Sequence, residues 1–482
     1  MEVIAPQDRN MEGHQVQIQV DGPQGKTIGP EKFSRFGIAG RIQATFQWAW
    51  DTSGLDPGDY KLTYSILPDG PTWTDTVLLH PADQVPPPEP QAHWETVETE
   101  CCVLHYITGT DAARDIDQLE EMANQQAQDA SRRLGVDFKE PIPITFLPRV
   151  LGHGGFTSQE IAVSYLDRNY AGSNPALVLH HEMIHLLDAR LGGDFRPTML
   201  VEGLAVYLSG GHFKPEPLLP RAAALLPPAQ GCQPVTPDPA ASSSPPCRLG
   251  SYLPLAPLAD NFYFSQHEIG YIEASALIEF MVDTWGWEAF NAFYRDIHPP
   301  ANDGGQAQAI DDALQRHFQI TMDELETRFL QRLREEKVTP ETIEDVRLTV
   351  DYYNTVRRYQ KLLDPSAYFL TAWLPDPAKM REKGIVADYL RHPSTPENQA
   401  LETLFLAADH SLLSKDYPRT QRLLNAINAM LDVFDPQGPE LSQNECDTSL
   451  AIALIPSPFA PIRWPVPVKL EEIGLALPGS CR

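Results

Sequence analysis

His181-Glu182-Met183-Ile184-His185, preceded by Asn174-Pro175 and followed by Gly192-Gly193, is the stretch on which the reading of this chain turns. Side chains four residues apart lie one turn apart on the same face of a helix. Both imidazoles can then reach one metal ion, with Glu182 beside them to take a proton from water. The flanks predict such a helix. Asn174 suits the N-cap, Pro175 the first helical position, and the glycine pair is a stop signal. Leu177, Met183, Ile184, Leu186, Leu187 and Leu191 give it enough apolar surface to be buried. Burying two histidines and a glutamate is costly unless a metal or polar partners satisfy them. The bland alternative is a pair of core histidines held by hydrogen bonds.

Catalytic zinc sites use three protein ligands and leave a fourth position open. A third histidine six residues after the second, with glycine at the third, is excluded here, because those positions are Leu191 and Asp188. The other arrangement needs a glutamate on a following helix. Pro197-Thr198-Met199-Leu200-Val201-Glu202-Gly203-Leu204-Ala205-Val206-Tyr207 supplies one, closed by Gly210-Gly211. Glu202 follows His185 by 17 residues, enough for the first helix to end, turn and return antiparallel. Asp194 is the substitute third ligand should the turn fold back. Asp188 lies near the ligand face and is weighed as a carboxylate orienting an imidazole against a surface role. His180 points elsewhere on the helix. His153, in Gly152-His153-Gly154-Gly155, reads as a loop residue.

With H-E-x-x-H, a Gly-Gly turn and an E-G-x-A-x-Y helix in order, the chain resembles the bacterial peptidase MA-like gluzincins, a zinc metallopeptidase group related in its metal site to thermolysin and the aminopeptidases. The resemblance covers roughly residues 93–335. It implies a single catalytic Zn2+ on His181, His185 and Glu202, with Glu182 as general base, and Ile161–Tyr165 as the strand lining the cleft. Such enzymes also place a donor opposite the water. Tyr271-Ile272-Glu273-Ala274-Ser275 matches the context of the tyrosine that does this in the aminopeptidase-like branch, so Tyr271 is the expected oxyanion donor. Ser265-x-x-Glu268 reads as a capping box opening that helix.

Around this core the sequence divides. Residues 1–85 alternate apolar and polar in short runs (16–20, 44–50, 60–66, 76–79) between turn signals, which suggests an antiparallel β-sandwich, immunoglobulin-like in its Gly54–Leu62 turn and strand. Residues 86–92 are a Pro-rich linker. Residues 93–335 read as an α+β peptidase domain, with strands at 102–107, 142–147 and 161–166 and a long polar helix at 111–134. Residues 336–445 read as mostly helical (340–363, 396–413, 417–434), and 446–482 as a Pro-rich tail.

With 42% hydrophobic residues among 482 the chain can bury a substantial core, and its formal charge of −28 argues against nucleic acid as a partner. No apolar run is long enough to span a membrane. Met1-Glu2-Val3 lacks the features of a signal peptide. That leaves a cytoplasmic protein or an exported one whose signal has been removed. Six cysteines, with Cys232 and Cys247 bracketing a Pro/Ser-rich loop that a disulfide would tie down, favour the extracellular or cell-envelope alternative. The expected substrate is a peptide or protein, cut internally. The competing readings are a catalytically inactive binding or adhesion protein and a scaffold built on the helical region.

Overall fold

The computed structural model describes residues 1–435 apart from 6–9, 23–24, 37–39, 47, 49, 85–90, 138, 173, 233–246, 265–266, 301–303 and 373. The expected tail, most of the Pro-rich linker and Ser265 of the capping box lie outside the described residues.

Seven strands come first: β1 (Glu2–Ile4), β2 (Gln15–Val20), β3 (Lys26–Lys32), β4 (Ser34–Phe36), β5 (Arg41–Thr45), β6 (Gly58–Leu67) and β7 (Thr72–Leu79). They form two antiparallel sheets, β1-β5-β4 and β3-β2-β6-β7. Val16, Ile18 and Val20 bury one face of β2 by period-2 alternation and meet Val3, Ala44, Leu62 and Ile66 in one core. The run expected at 44–50 gives a strand that ends at Thr45, and β1, β3 and β4 are strands the alternation did not mark.

A mixed α/β region follows. Its sheet runs β11-β12-β10-β9-β8, built from β8 (Trp94–Glu98), β9 (Cys102–Ile107), β10 (Ile142–Leu147), β11 (Gly155–Thr157) and β12 (Ile161–Ser164). Strands β9, β10 and β12 are parallel, while β8 and β11 close the two edges antiparallel. Helices α1 (Asp111–Arg114) and α2 (Ile116–Leu134) connect β9 to β10. After β12 come α3 (Pro175–Leu191), α4 (Thr198–Ser209), α5 (Leu218–Ala224), α6 (Leu255–Asp260), α7 (His267–Trp285), α8 (Trp287–Arg295), α9 (Gln306–Phe318) and α10 (Met322–Glu335). The last described part is helical: α11 (Pro340–Leu363), α12 (Pro377–Glu382), α13 (Pro396–Leu413) and α14 (Tyr417–Phe434).

The main core runs from Cys101 to Val346, so the first turns of α11 belong to it. Largely buried ion pairs also fasten the same helix. Asp345 takes Lys214 Nζ at 2.7 Å and the Arg221 guanidinium, whose Nε also meets Glu216 at 2.9 Å. Met380, Val386 and Tyr389 pack against Ile107, Leu147 and Ala162 of the sheet. The helical region is therefore seated directly on the α/β region.

Two disulfides are present among the described residues. Cys232–Cys247 closes the Pro/Ser-rich loop as expected, and Cys101–Cys102 joins neighbours that the sequence reading left unpaired. Cys446 and Cys481 lie outside the described residues. No described helix is long and apolar enough to cross a membrane.

Candidate metal centre

Helix α3 is built as its flanks predict. The Asn174 side chain accepts from Leu177 N at 3.2 Å, Pro175 opens the helix, and Gly192 ends it with φ 82°. Helix α4 starts after Pro197 and stops at Gly210 in the left-handed conformation. The two helices bring three residues together. His185 Nε2 lies 2.9 Å from His181 Nε2, and Glu202 Oε2 lies 3.3 and 3.2 Å from those two nitrogens. His181 and Glu202 are buried and His185 half-buried. Among the described residues this is the one His/Cys/Asp/Glu group placed to hold a metal ion.

The triangle can be tested against an ion. Zinc bonds of about 2.0–2.1 Å in tetrahedral geometry separate ligand atoms by about 3.3 Å. The two edges to Glu202, 3.3 and 3.2 Å, match that spacing, and the edge between the two histidines is shorter at 2.9 Å. A borderline ion such as Zn2+ suits two imidazoles and a carboxylate.

Burial pushes the Glu182 carboxyl up to about 7, against the pull of His185 and a hydrogen bond from Thr157. That bond runs from Thr157 Oγ1 to Glu182 Oε2 at 2.7 Å, and the same hydroxyl reaches the Glu182 carbonyl at 3.0 Å. Burial works against ionising Glu202 too, but His185 and His181 hold its pKa well below the ordinary range.

Two glycines set the spacing. A Cβ at Gly155 would lie 2.9 Å from Glu182 Cγ, so the edge strand can approach Glu182 this closely only with glycine there. A Cβ at Gly203 would lie 2.7 Å from the Ala274 carbonyl oxygen. That close contact of α4 with α7 draws Tyr271 toward the metal ligands.

Tyr271 is buried, its ring 6.4 Å from that of His181 and stacked on His212 at 3.9 Å. Several neighbours were not expected. The Tyr263 hydroxyl donates to Glu202 Oε1 in a short hydrogen bond. His212 Nδ1 bonds Glu268 Oε2 at 3.0 Å, so the Glu268 carboxylate faces His212. His153 bonds His267 at 3.0 Å and is ringed by His212, Phe213, Tyr353 and Phe369, where a plain loop residue was expected. The strand whose Thr157 bonds Glu182 is the edge strand β11, with Ile161–Ser164 one position further in.

Neither expectation for Asp188 holds. It is 1% exposed and binds Arg196 Nη1 at 2.8 Å, the Tyr294 hydroxyl at 2.8 Å and the Arg295 guanidinium. The pull of two arginines turned it away from the imidazoles, and His181 Nδ1 is left buried without a partner. Replacing Asp188 with Asn should cost about 3 kcal/mol of stability, because two partly buried guanidiniums lose their counter-charge. Denaturant unfolding would measure this, and metal affinity of the folded variant should not change. Asp194 is exposed and pairs with His298 at 2.9 Å, which removes it from the metal centre. His180 is structural. It bonds Ser209 and Asp129, and burial lowers its pKa to about 4.

Tyr263 had no sequence signature, since it reaches Glu202 from the loop before α7. Changing it to Phe removes the bond that orients a ligand and should weaken metal binding about 10- to 100-fold, readable by competition with a chromogenic chelator.

No family model, no curated protein and no solved structure matches the chain.

Proposed function

We propose that the chain is a zinc-dependent peptidase of gluzincin type, in which His181, His185 and Glu202 hold the ion. The observation that carries this reading is the ligand triangle with Glu182 on the same helix turn, its carboxylate fixed by Thr157.

A zinc ion held there supplies Lewis-acid polarisation of the scissile carbonyl and makes water acidic near neutral pH. Glu182 accepts the proton of the attacking water and returns it to the departing amine, so that one peptide bond and one water become an acid and an amine. Tyr271 is the donor to the oxyanion that develops on the carbonyl oxygen. Tyr263 holds Glu202 in place.

Strand β11 supports a peptide substrate bound in extended form. It is the outermost strand of its sheet, its residue Phe156 is 41% exposed, and Thr157 connects it to the general base. A peptide laid along that edge would continue the ladder on both sides of the scissile bond, which favours internal cleavage. The two disulfides support an extracellular or cell-envelope location.

The test is a digest of a proteome-derived peptide library by the zinc-loaded protein. New termini that are absent with Glu182→Gln support the proposal. Zinc uptake without cleavage of any peptide would leave the inactive binding protein as the better reading.

A further inference from the structure

Tyr353, Arg357 and Gln360 fall on one face of α11, at spacings of four and three residues. Both neighbours of Arg357 on that face touch the loop beside the metal centre. The Tyr353 ring lies 5.4 Å from His153, and Gln360 Nε2 donates to the Gly152 carbonyl at 2.8 Å. The same loop takes a second tie, Gly152 N to the Ala367 carbonyl at 2.9 Å. Arg357 Cζ lies 6.0 Å from the centroid of Phe369, whose ring is 4.2 Å from His267. From His153 the rings continue through His212 at 6.0 Å to His181 at a further 5.8 Å. The guanidinium thus borders the ring-lined wall that leads through His153 and His212 to His181.

Arg357 is half-buried and makes no ion pair with a described carboxylate. Its hydrogen-bond partner is Asn354 Oδ1. Other partly buried arginines of the C-terminal helices are paired: Arg347 with Glu344 and Asp351, Arg358 with Asp432, and Arg381 with Glu160. Arg419 of α14 and Arg149 likewise lack an ion pair among the described residues, but Arg149 donates to the Asp388 carbonyl and to Ser366, and neither shares a helix face with Tyr353 and Gln360. Burial works against its charge, with Tyr368 and Glu268 opposing. A carboxylate arriving from outside would satisfy it. The fork of N–H donors matches a carboxylate two bonds at a time, and Asn354 occupies one donor. The overall charge of −28 otherwise repels acidic ligands, so a local cation is what admits one.

We infer that Arg357 recognises a carboxylate of the bound peptide away from the scissile bond. The carboxylate is that of an Asp or Glu side chain or of the peptide's C-terminus. The consequence for cleavage rests on the peptidase reading; the binding itself does not.

The test uses four acetylated decapeptide libraries, ending in a free acid or an amide and made with or without Asp and Glu. Binding is measured on the full-length, zinc-loaded Glu182→Gln protein, with and without Arg357→Gln, and cleavage on the wild type. The carboxylate-bearing libraries should bind about 10- to 100-fold better than the neutral amide library, and Arg357→Gln should abolish that preference. Preference for free acids alone assigns the C-terminus, and preference for Asp/Glu libraries assigns a side chain. Arg357→Lys, which keeps the charge and loses the fork, should retain only part of it. Equal binding of all four libraries, or a preference untouched in Arg357→Gln, overturns the inference. Cleavage without carboxylate preference would leave the peptidase reading standing and this one fallen. An Arg357-dependent preference without cleavage would do the reverse.

Discussion

Glu202→Ala is expected to abolish stable zinc binding, taking the metal content from about one ion per chain to near none after dialysis. Two imidazoles one helical turn apart remain in the variant, but the third edge of the triangle is gone. Glu202 Oε2 is the atom that faces both nitrogens, at 3.3 and 3.2 Å. The loss should also appear as stability. An ion that binds the folded chain alone raises the unfolding free energy by about 4 kcal/mol when present at a thousand times its Kd. Zinc should therefore raise the Tm of the wild type, a chelator should reverse this, and the variant should respond to neither. Elemental analysis with parallel thermal unfolding tests both statements. Full zinc retention by Glu202→Ala would place the third ligand elsewhere.

Glu182→Gln should keep the ion and lose the reaction. The amide fits the same space and can still bond Thr157, so fold and metal content are expected to match the wild type. Activity should fall about 10²- to 10⁴-fold, the usual contribution of a positioned acid–base group. The fall should appear in kcat, since Glu182 is assigned a role in proton transfer and not in substrate binding. An undiminished kcat would remove Glu182 from the mechanism, even if the zinc site stood.

These two residues were also the most legible in the sequence, for a local reason. His181, Glu182 and His185 are fixed by helix geometry within five residues, and the Asn174 cap and Gly192 stop sit just outside. Glu202 needed only one more helix and the turn before it. The rest of the centre depends on chain segments that meet late. Thr157 lies on a three-residue strand after a glycine-rich loop, too short for alternation to mark. Tyr263 is 61 residues from Glu202, and His153 is 114 from His267. Asp188 shows the same limit from the other side. Its spacing from His181 was right for an imidazole partner, but Arg196 and Arg295 won it. The helices at 340–363, 396–413 and 417–434 were readable because each opens with Thr-Pro or Asp-Tyr-Pro, an N-cap followed by proline.

The bond between Gln360 and Gly152 joins residues 208 positions apart, and it closes the wall on which His153 sits. Contacts of such separation carry a large loop-closure cost and form late in folding. During synthesis α3 and α4 leave the ribosome well before α11 does. The nascent chain can thus bring His181, His185 and Glu202 together before α11 arrives to close the wall around them. For a proteolytic enzyme that order would postpone activity until α11 has been made, without any separate inhibitor.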